Sequence, residues 1–320
     1  MMYSLIIVDY NSIDATIAYI QRCWKALGEK GASHVVIVEN GSNKCVPEKL
    51  QHLYGPGTVR AVEGISQTVC FYRTPNQEIL YCHSGENMGY ARGNNLGVRI
   101  AQKVWNDPYY IVSNNDLVFE KPLDLEVAGQ LFEKDPAIGI IGPRVTTPDG
   151  VTQSPQAWAP AFRRLIVDYW RRFIAAFLPG QKKSEYLIRH CNDVVVDASS
   201  GPCAWVSGCF MLLRASAFQK AGMFDEHTFL YAEEMILSRR MEAVGSTAWY
   251  CRELEVIHNH AQTTKKSISV MKGRELDFRA VWYYYKTYTK TSPALLTLAK
   301  GNFAVYKFVF NCFQKLKGRS

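Results

Sequence analysis

Two acidic pairs stand close together in the segment 208–245. Asp225 and Glu226 lie in a predicted turn, and Glu233 and Glu234 open a predicted helix. The helix dipole stabilises ionised carboxylates at a helix start, so one of them is suited to act as a general base or to hold a polar substrate. Glutamates are also common in first helical turns for structural reasons alone. This segment by itself does not separate the two interpretations.

Polar residues follow short apolar runs in the first 116 residues. The runs predict strands at residues 5–8, 35–38, 79–82 and 109–112, with helices at about 14–27 and from residue 89 to about 104. Alternating strands and helices favour an open, mainly parallel sheet, in which ligands bind beyond the carboxyl ends of the strands. Those four ends carry Asp, Glu, Asn, Ser or Gly, which predicts a binding edge.

Three acids and one arginine should gather at that edge, namely Asp9, Glu39, Asp116 and Arg92. A single carboxylate after a strand is usually a cap or turn residue. Together the four suit a nucleotide diphosphate: an acid for the base or ribose, a cation, and an oxygen ligand for a divalent metal bridging the phosphates. Mg²⁺ or Mn²⁺ takes few protein carboxylates and lets phosphate oxygens complete its shell.

Size and composition indicate a globular α/β protein. The chain has 320 residues, 48% hydrophobic and 21% charged, enough for one large domain with appendages or for two domains. Its nine cysteines are scattered without a C-x-x-C pair, and the first residues lack signal-peptide features, so we expect a reducing, cytoplasmic setting without zinc or disulfides. No apolar run is long enough to predict a transmembrane helix.

The last part of the chain is strongly basic. From Lys265 onward there are 12 Lys or Arg and two Asp or Glu, whereas the preceding residues hold 25 and 27. Such a tail suits anionic lipid headgroups or nucleic acid, and its many aromatic residues favour a membrane interface. We predict one or two amphipathic helices from about Ser292 to Lys317. The alternative is that the aromatic residues pack against the main domain.

A second aromatic segment lies at residues 162–177. Its apolar residues recur at helical spacing beside Arg163, Arg164, Arg171 and Arg172, and the helix should end at Pro179. A core-packed helix is the commoner explanation of this pattern, and a basic interfacial helix is the other.

Six sequence pieces occur in an order that resembles a known family. They are IIVDYNS, VVIVENGS, ENMGYARGNNLGVRIA, VSNNDLVFE, IGIIGPRV and GCFMLLRASAFQKAGMFDEHTFLYAEEMILSRRMEAVG, spanning about residues 3–262. In these pieces the chain resembles family 2 glycosyltransferases of the GT-A fold, in the rhamnosyltransferase-like group that builds bacterial surface polysaccharides. The glycine-rich piece matches neither the dinucleotide-binding nor the P-loop pattern.

The resemblance implies a fold and a domain layout. The fold is α/β, a GT-A (Rossmann-like), mixed and mainly parallel sheet flanked by helices, with a C-terminal helical basic extension. Residues 1–264 would form the glycosyltransferase domain, with a donor half at about 1–120 and an acceptor half at about 121–264. Residues 265–320 would form the basic aromatic tail.

The resemblance also assigns roles to individual residues. Glu234 would be the base, with Glu233 as its neighbour and Asp225 holding the acceptor or sugar. Asp116 would bind the metal, joined by His258 or His260. The remaining positions would contact the nucleotide-sugar donor: Asp9, Tyr10, Asn11, Glu39, Asn87, Gly89, Arg92, Asn94, Asn114 and Asn115. Lys265, Lys266, Lys272 and Arg274 would neutralise the leaving diphosphate.

The implied reaction is a direct displacement with inversion. A divalent metal (Mg²⁺ or Mn²⁺) would serve as cofactor, with an NDP-sugar as hexosyl or deoxyhexosyl donor and a hydroxyl of a glycan or lipid-linked acceptor. The expected location is the cytoplasm, with the tail on an anionic inner membrane face and no nucleic-acid partner. Four positions depart from the family pattern. Asn114, Glu39 and Glu234 stand where an Asp is common, and Ile236 stands where many members have another acid.

Two rival functions stay open at this point. A catalytically inactive nucleotide fold that binds membrane or nucleic acid would explain the basic tail, but such a protein would be expected to lose part of the acidic set. A sugar nucleotidyltransferase would need a glycine-rich, arginine-containing loop after the first strand, and DYNSIDATI contains neither residue.

Overall fold

The chain folds around one twisted sheet. The computed structural model describes residues 2–28, 34–41, 47–156, 162–179, 198–259 and 269–316, together with 182, 186 and 318. The strands within this part are β1 Tyr3–Asp9, β2 His34–Glu39, β3 Thr58–Arg60, β4 Val69–Arg73, β5 Glu78–His83, β6 Tyr109–Ser113, β7 Leu117–Val118, β8 Ile138–Thr146, β9 Thr152–Ser154, β10 Gly201–Cys203, β11 Phe210–Arg214 and β12 Thr247–His258.

Nine α-helices and one π-helical turn accompany the sheet in the described part of the chain. They are α1 Ile13–Leu27, α2 Pro47–Tyr54, α3 Gly89–Val104, α4 Leu125–Lys134, the π-helical turn Arg164–Asp168, α5 Tyr169–Ala175, α6 Ala215–Lys220, α7 Glu233–Ala243, α8 Val270–Tyr288 and α9 Pro293–Leu316.

The centre of the sheet is parallel. Its strands run in the order β10-β12-β8-β11-β6-β1-β2-β5-β4-β3, with β7 beside β12 and β9 beside β8. Strands β6, β1, β2 and β5 are mutually parallel, while β11 is inserted antiparallel between β6 and β8. Because the chain leaves β1 towards β2 and later returns to its other side as β6, a crevice forms at the carboxyl ends of these strands.

Two buried clusters cover the two faces of the sheet. One contains apolar residues of α1 and α4, such as Ile17, Ile20 and Phe132, and the other contains residues of α3, α6 and α7, such as Val98, Phe218 and Leu237. The strands themselves are almost continuously buried, as expected for parallel strands with helices on both faces.

A third cluster joins the tail to the main sheet domain. Leu165 and Tyr169 pack there with Met235 and Ile236 of α7 and with the aromatic side chains of α8 and α9. Tyr285, Phe303, Tyr306 and Phe310 of the tail are buried in this cluster. On this face of α8 and α9 the aromatic side chains therefore pack against the main domain, as the alternative interpretation of the tail expected.

Most predicted elements of the first 116 residues are present. The four apolar runs fall within β1, β2, β5 and β6, and the two predicted helices correspond to α1 and α3. The segment 162–177 differs from a single regular helix, since it begins as a π-helical turn before α5. No helix in the described ranges has the length and hydropathy that crossing a membrane requires.

Candidate active site

A cleft of about 390 Å³ opens where the sheet edge meets α7. Asn114 follows β6 and His258 ends β12, and both line this cleft together with Glu233 and Glu234 at the start of α7. Chemistry-bearing residues more than 100 positions apart in the chain therefore meet at one place. The cleft lies at the carboxyl edge of the parallel strands, as the sequence predicts.

Strained backbone positions the two glutamates. Tyr231 and Ala232, immediately before α7, have φ angles of 78° and 67°. Left-handed conformations in two consecutive residues with side chains cost energy and tend to occur at functional sites. The strained turn directs the start of α7 into the cleft.

Gly208 receives the side chain of Glu234. Its backbone amide donates a hydrogen bond of 3.0 Å to Oε1 of Glu234, and its carbonyl accepts one of 2.6 Å from the Tyr90 hydroxyl. A Cβ atom at position 208 would lie 2.6 Å from the same Oε1 atom. Only glycine therefore leaves room for this carboxylate.

The surroundings raise the pKa of both glutamates above the ordinary value. Burial and the neighbouring charge of Glu234 raise the pKa of Glu233 to about 8, and its Oε1 atom receives no hydrogen bond from the described residues. Burial also raises the pKa of Glu234, although the Gly208 amide and the charges of Arg164 and His258 oppose this. A raised pKa brings a carboxylate closer to that of an efficient general base near neutral pH.

Asp116 and His258 form a second polar pair. Nε2 of His258 lies 3.2 Å from Oδ1 of Asp116, and its Nδ1 lies 3.1 Å from Oε1 of Gln153. Burial alone would lower the pKa of His258, but hydrogen bonding to Asp116 and Cys209 and their charges outweigh it and raise the pKa to about 10. The imidazole therefore carries a proton that stabilises the aspartate.

The pair fits a divalent ion that a diphosphate also ligates. The buried Oδ1 atom of Asp116 is held by its ion pair with His258, and it could serve as an oxygen ligand once the imidazole loses its proton. No group of three or more His, Cys, Asp and Glu side chains arranged for a metal occurs in the described ranges. The donor set is therefore one carboxylate with one imidazole, which leaves most of the coordination shell to substrate oxygens.

Asp9 and Asn115 are buried behind the sheet edge. Asp9 accepts hydrogen bonds of 2.7 and 2.6 Å from the hydroxyls of Ser12 and Thr16. Asn115 donates to the same two hydroxyls at 2.9 and 2.7 Å. This network joins the end of β1 to the loop after β6, so both side chains position the edge from within.

Glu39 lies at the same edge, two strands from β6. Its side chain is buried and contacts His83 at the end of β5, whose ring is half exposed. The register pairs Asp9 with Glu39, and Glu39 with His83. The predicted donor residues Asp9 and Glu39 therefore lie side by side, and neither lines the cleft that holds Glu234.

The loop before α3 closes tightly over the sheet edge. Oδ1 of Asn87 accepts hydrogen bonds from Asn40 and from the Gly89 amide, at 3.2 and 3.0 Å. Gly89 has a φ of 78°, and a Cβ atom there would lie 2.2 Å from the carbonyl oxygen of Phe229. This loop therefore needs glycine at position 89, which adds a close-packing role to the predicted one.

The other predicted donor residues are spread along this edge. Tyr10 is partly buried, and Asn11 is exposed with a φ of 56°. Arg92 is exposed on α3. Burial raises the pKa of Glu226, but hydrogen bonds from Asn95 and Arg99 and the charges of Arg99 and Arg92 together lower it. Asn94 is buried and donates to the Tyr90 carbonyl oxygen.

Hydrogen bonds from helix α8 and from His227 hold the side chain of Asp225. One carboxylate oxygen accepts hydrogen bonds from the Tyr283 and Tyr288 hydroxyls, at 2.9 and 2.5 Å, and the other contacts the backbone and ring of His227. Burial raises its pKa, but these bonds together lower it to about 2. The buried aspartate therefore connects the loop before α7 to helix α8.

Three predicted residues lie outside the described part of the chain, namely His260, Lys265 and Lys266. Lys272 is exposed near the start of α8. Arg274 is packed over the rings of Tyr306 and Phe310, with its guanidinium carbon 5.5 and 4.8 Å from their centroids.

Several residues of the cleft were not predicted from sequence. They are Tyr90, Gln153, Gln156, Arg164, Arg172, Trp205 and Ser207. Arg164 and Arg172 were noted only as members of a basic segment, and no motif marks them. Their positions depend on how residues 162–179 fold back over the sheet, which no local pattern encodes.

Comparison with known proteins identifies the family. The sequence profile of glycosyl transferase family 2 matches residues 4–220. The chain belongs to this family. The prediction made from the six sequence pieces is confirmed.

Two characterised relatives are rhamnosyltransferases. The chain is 28% identical over 206 residues to the N-acetylglucosaminyl-diphospho-decaprenol L-rhamnosyltransferase of Mycobacterium tuberculosis, covering 60% of this chain and 62% of that protein. It is 32% identical over 87 residues to rhamnosyltransferase WbbL of Escherichia coli, covering 27% and 30%. The matched region thus spans less than two thirds of either relative.

A solved structure confirms the predicted fold. The chain resembles GalNAc-T7, whose crystal structure contains UDP, GalNAc and Mn²⁺, with a TM-score of 0.52 and 12% identity over 81% of this chain and 44% of that one. The prediction of a GT-A fold with a mixed, mainly parallel sheet, flanking helices and a helical C-terminal region is correct.

Proposed function

We propose that this protein is an inverting glycosyltransferase of cell-surface polysaccharide synthesis. It transfers a hexosyl or deoxyhexosyl group from an NDP-sugar to a hydroxyl of a glycan or lipid-linked acceptor. The observation that carries the proposal is that Glu234 shares one cleft with Asn114 and His258, and that His258 contacts Asp116. Family membership and the similarity to a diphospho-decaprenol rhamnosyltransferase support this choice of reaction and acceptor.

Glu234 acts as the general base in this proposal. The carboxylate accepts the proton of the acceptor hydroxyl as that oxygen bonds to the anomeric carbon, and the bond from that carbon to the NDP oxygen breaks. The leaving diphosphate takes the electron pair. The Gly208 amide fixes one oxygen of Glu234, so the other carboxylate oxygen is oriented towards the acceptor. Glu233 stays protonated beside it and spares the cleft a second negative charge.

Asp116, with His258, would hold a divalent Mg²⁺ or Mn²⁺ ion together with the donor diphosphate. When bound, this ion would offset charge on the leaving diphosphate. His258 must lose its proton before it can bind the ion, so the Asp116–His258 contact and metal binding by His258 exclude each other. Asp116 would supply the primary ligand through the carboxylate that His258 contacts.

The Glu234→Gln variant tests the base. The amide keeps the shape of the side chain but cannot take a proton, so we expect transfer to fall by roughly 10²- to 10⁴-fold. Affinity for the NDP-sugar, measured by calorimetry, should stay within about twofold. Glu242→Gln, an exposed site on the same helix, is the matched control. Unimpaired transfer by Glu234→Gln would contradict the assignment of Glu234 as the base.

Helix α9 supports a peripheral place at the inner face of the cytoplasmic membrane. Its buried residues include Phe303 and Tyr306, whereas Leu298, Val305 and Phe308 are exposed on the opposite side. The helix is thus apolar on two sides, and one side has no partner in the described residues. The excess of Lys and Arg over Asp and Glu in the tail suits anionic headgroups.

Point variants test membrane binding better than truncation, because removing the tail would expose the third core cluster. Leu298 and Phe308 are 60% and 70% exposed, so changing both to Glu should leave the fold intact. We expect the double variant to lose sedimentation with anionic liposomes. Val59→Glu, at a 65% exposed site in β3, should sediment like the unmodified protein. Equal binding by all three proteins would contradict the membrane assignment.

An inactive binding module is the less favoured function. It explains the basic tail but not the strained turn, the glycine that receives Glu234, or the buried Glu233 oxygen that has no hydrogen bond from the described residues. Buried polar atoms without partners cost stability, and such atoms are retained where a ligand satisfies them. Failure of any nucleoside diphosphate to stabilise the protein against heat, with or without Mn²⁺, would favour the module.

A further inference from the structure

Two arginines line the cleft from its helical side. Arg164 begins the π-helical turn, and Arg172 lies in α5, two turns further on. Both face the space that also contains Glu234. Burial raises the pKa of Glu234. Backbone hydrogen bonds oppose this rise, and the charge of Arg164 opposes it more than that of His258 does.

Arg164 is held in place by the tail. Its Nη2 atom donates a hydrogen bond of 2.9 Å to Oδ1 of Asp277 in α8, and the Tyr169 hydroxyl donates to the other oxygen of Asp277 at 2.9 Å. The acid and the phenol fix the guanidinium group at the wall of the cleft. A guanidinium group carries five donors, and the bond to Asp277 uses one of them.

Arg172 differs from the other arginines of its segment. Arg163 and Arg171 lie 3.7 and 3.1 Å from Oδ1 of Asp168, and Arg164 pairs with Asp277. In the described ranges no carboxylate lies within ion-pair distance of Arg172, and its side chain is exposed. The charge of Arg172 also acts on nearby Arg274, whose pKa is lowered first by burial and then by this repulsion. The positive charge at this wall is therefore not neutralised.

We propose that Arg164 and Arg172 form a subsite for a phosphate or diphosphate group of the acceptor. This inference rests on the proposed transferase function and specifies its acceptor class. Planar guanidinium groups match phosphate oxygens with paired hydrogen bonds, and two of them suit a diphosphate better than a neutral sugar. The acceptor sugar then extends from this subsite to Glu234.

The surroundings favour an acceptor whose diphosphate carries an apolar chain. The segment that bears both arginines also exposes Val167, Ile174 and Phe177. Phe177 packs against Phe313 of α9, with ring centroids 4.9 Å apart. The segment that carries the arginines thus also presents an exposed apolar surface that continues into the tail, and in this proposal the lipid chain lies on it. The diphosphate of the donor is the other source of the same chemistry, and the experiment separates the two.

Calorimetry on the full chain tests the subsite with geranyl diphosphate as the probe. The titration is made in Mg²⁺ with saturating UDP or dTDP, so that the donor site is filled. We expect the unmodified protein to bind the probe and Arg172→Gln to bind it at least about tenfold more weakly, with Arg172→Lys in between. Arg163→Gln, which makes the same charge change beside Asp168, should bind it like the unmodified protein.

The outcomes separate this inference from the proposed function. Equal probe binding by Arg172→Gln and the unmodified protein would overturn the subsite. The subsite would also be overturned if Arg172→Gln weakened UDP or dTDP binding instead, because the arginines would then belong to the donor diphosphate. If the unmodified protein binds a nucleotide but not geranyl diphosphate, the inference fails and the transferase proposal stands. If it binds neither nucleotide, the proposed function fails with it.

Discussion

The amide of Gly208 donates a hydrogen bond of 3.0 Å to Oε1 of Glu234, 26 residues further along the chain. Gly208 lies two residues before the start of β11, so this bond connects the sheet edge to the start of α7. Because a Cβ atom at position 208 would overlap the same oxygen, the glycine and the glutamate depend on each other.

Gly208→Ala should displace the Glu234 carboxylate from its amide. A displacement of about 1 Å in a catalytic group costs on the order of 10²-fold in rate, so we expect a loss of transfer of that size. Nucleotide affinity should change little, because this contact is remote from Asp9 and Glu39. Gly201→Ala is the control, since a Cβ atom there meets no neighbour. Wild-type rates in Gly208→Ala, measured at saturating donor, would show that the contact is dispensable.

Glu233→Gln should make the protein more stable at high pH. The pKa of Glu233 in the folded chain is about 8, above its ordinary value of 4.5, so its contribution is fully present below pH 4.5 and is lost as the pH rises through 8. Each pH unit in this window lowers the free energy of unfolding by at most about 1.4 kcal/mol. The variant lacks this dependence.

Denaturant titrations at pH 5, 7 and 9 measure the difference between the two proteins. The advantage of Glu233→Gln over the unmodified chain should grow across the series, while Glu242→Gln, at an exposed site, should follow the unmodified chain. Parallel curves for all three proteins would mean that Glu233 is ionised in the folded state.

Asp116→Asn should uncouple nucleotide binding from metal. In the unmodified protein we expect Mn²⁺ to strengthen nucleoside diphosphate binding, because the Asp116 carboxylate would exchange its contact with His258 for the ion beside the phosphates. The amide is a weaker, neutral ligand, so the gain from Mn²⁺ should fall about tenfold or more. Asp124→Asn, at a helix cap away from the cleft, is the control. An undiminished Mn²⁺ effect in Asp116→Asn would place the metal elsewhere.

Tyr288→Phe should loosen the tail from the main domain. The variant removes a hydrogen bond of 2.5 Å to buried Asp225, which typically costs about 1.5–3 kcal/mol when the acceptor is charged. Tyr284→Phe is the control, since no hydrogen bond of that hydroxyl is present in the described ranges. Thermal unfolding compares the two, and equal melting temperatures would contradict a tethering role for Asp225.

The same contact has a defined pH dependence. The pKa of Asp225 is about 2, below its ordinary value of 3.8, so its stabilising effect is present above pH 3.8 and is lost as the pH falls through 2. The destabilisation by Tyr288→Phe should therefore be constant between pH 5 and 8. It should shrink only in strong acid.

The local sequence determined the fold of the donor half and the family. Apolar runs such as 5–8 and 109–112 have one stable arrangement as buried parallel strands, and their polar ends then share an edge because strands of one sheet run side by side. The order of six sequence pieces was enough to place the chain in one enzyme family. Hydrophobic periodicity and chain order carry this information without tertiary contacts.

Only the tertiary structure decided which acids face the cleft. Asp9 and Glu39 resemble Asp116 in the sequence, yet they are buried in hydrogen-bonded contacts with Thr16 and His83, while Asp116 contacts His258 at the cleft. The sequence does not distinguish Arg172 from Arg171. In the folded chain Arg171 pairs with Asp168, whereas Arg172 lines the cleft. The pKa and partners of a side chain depend on groups distant in sequence, and chain packing alone brings those groups within reach.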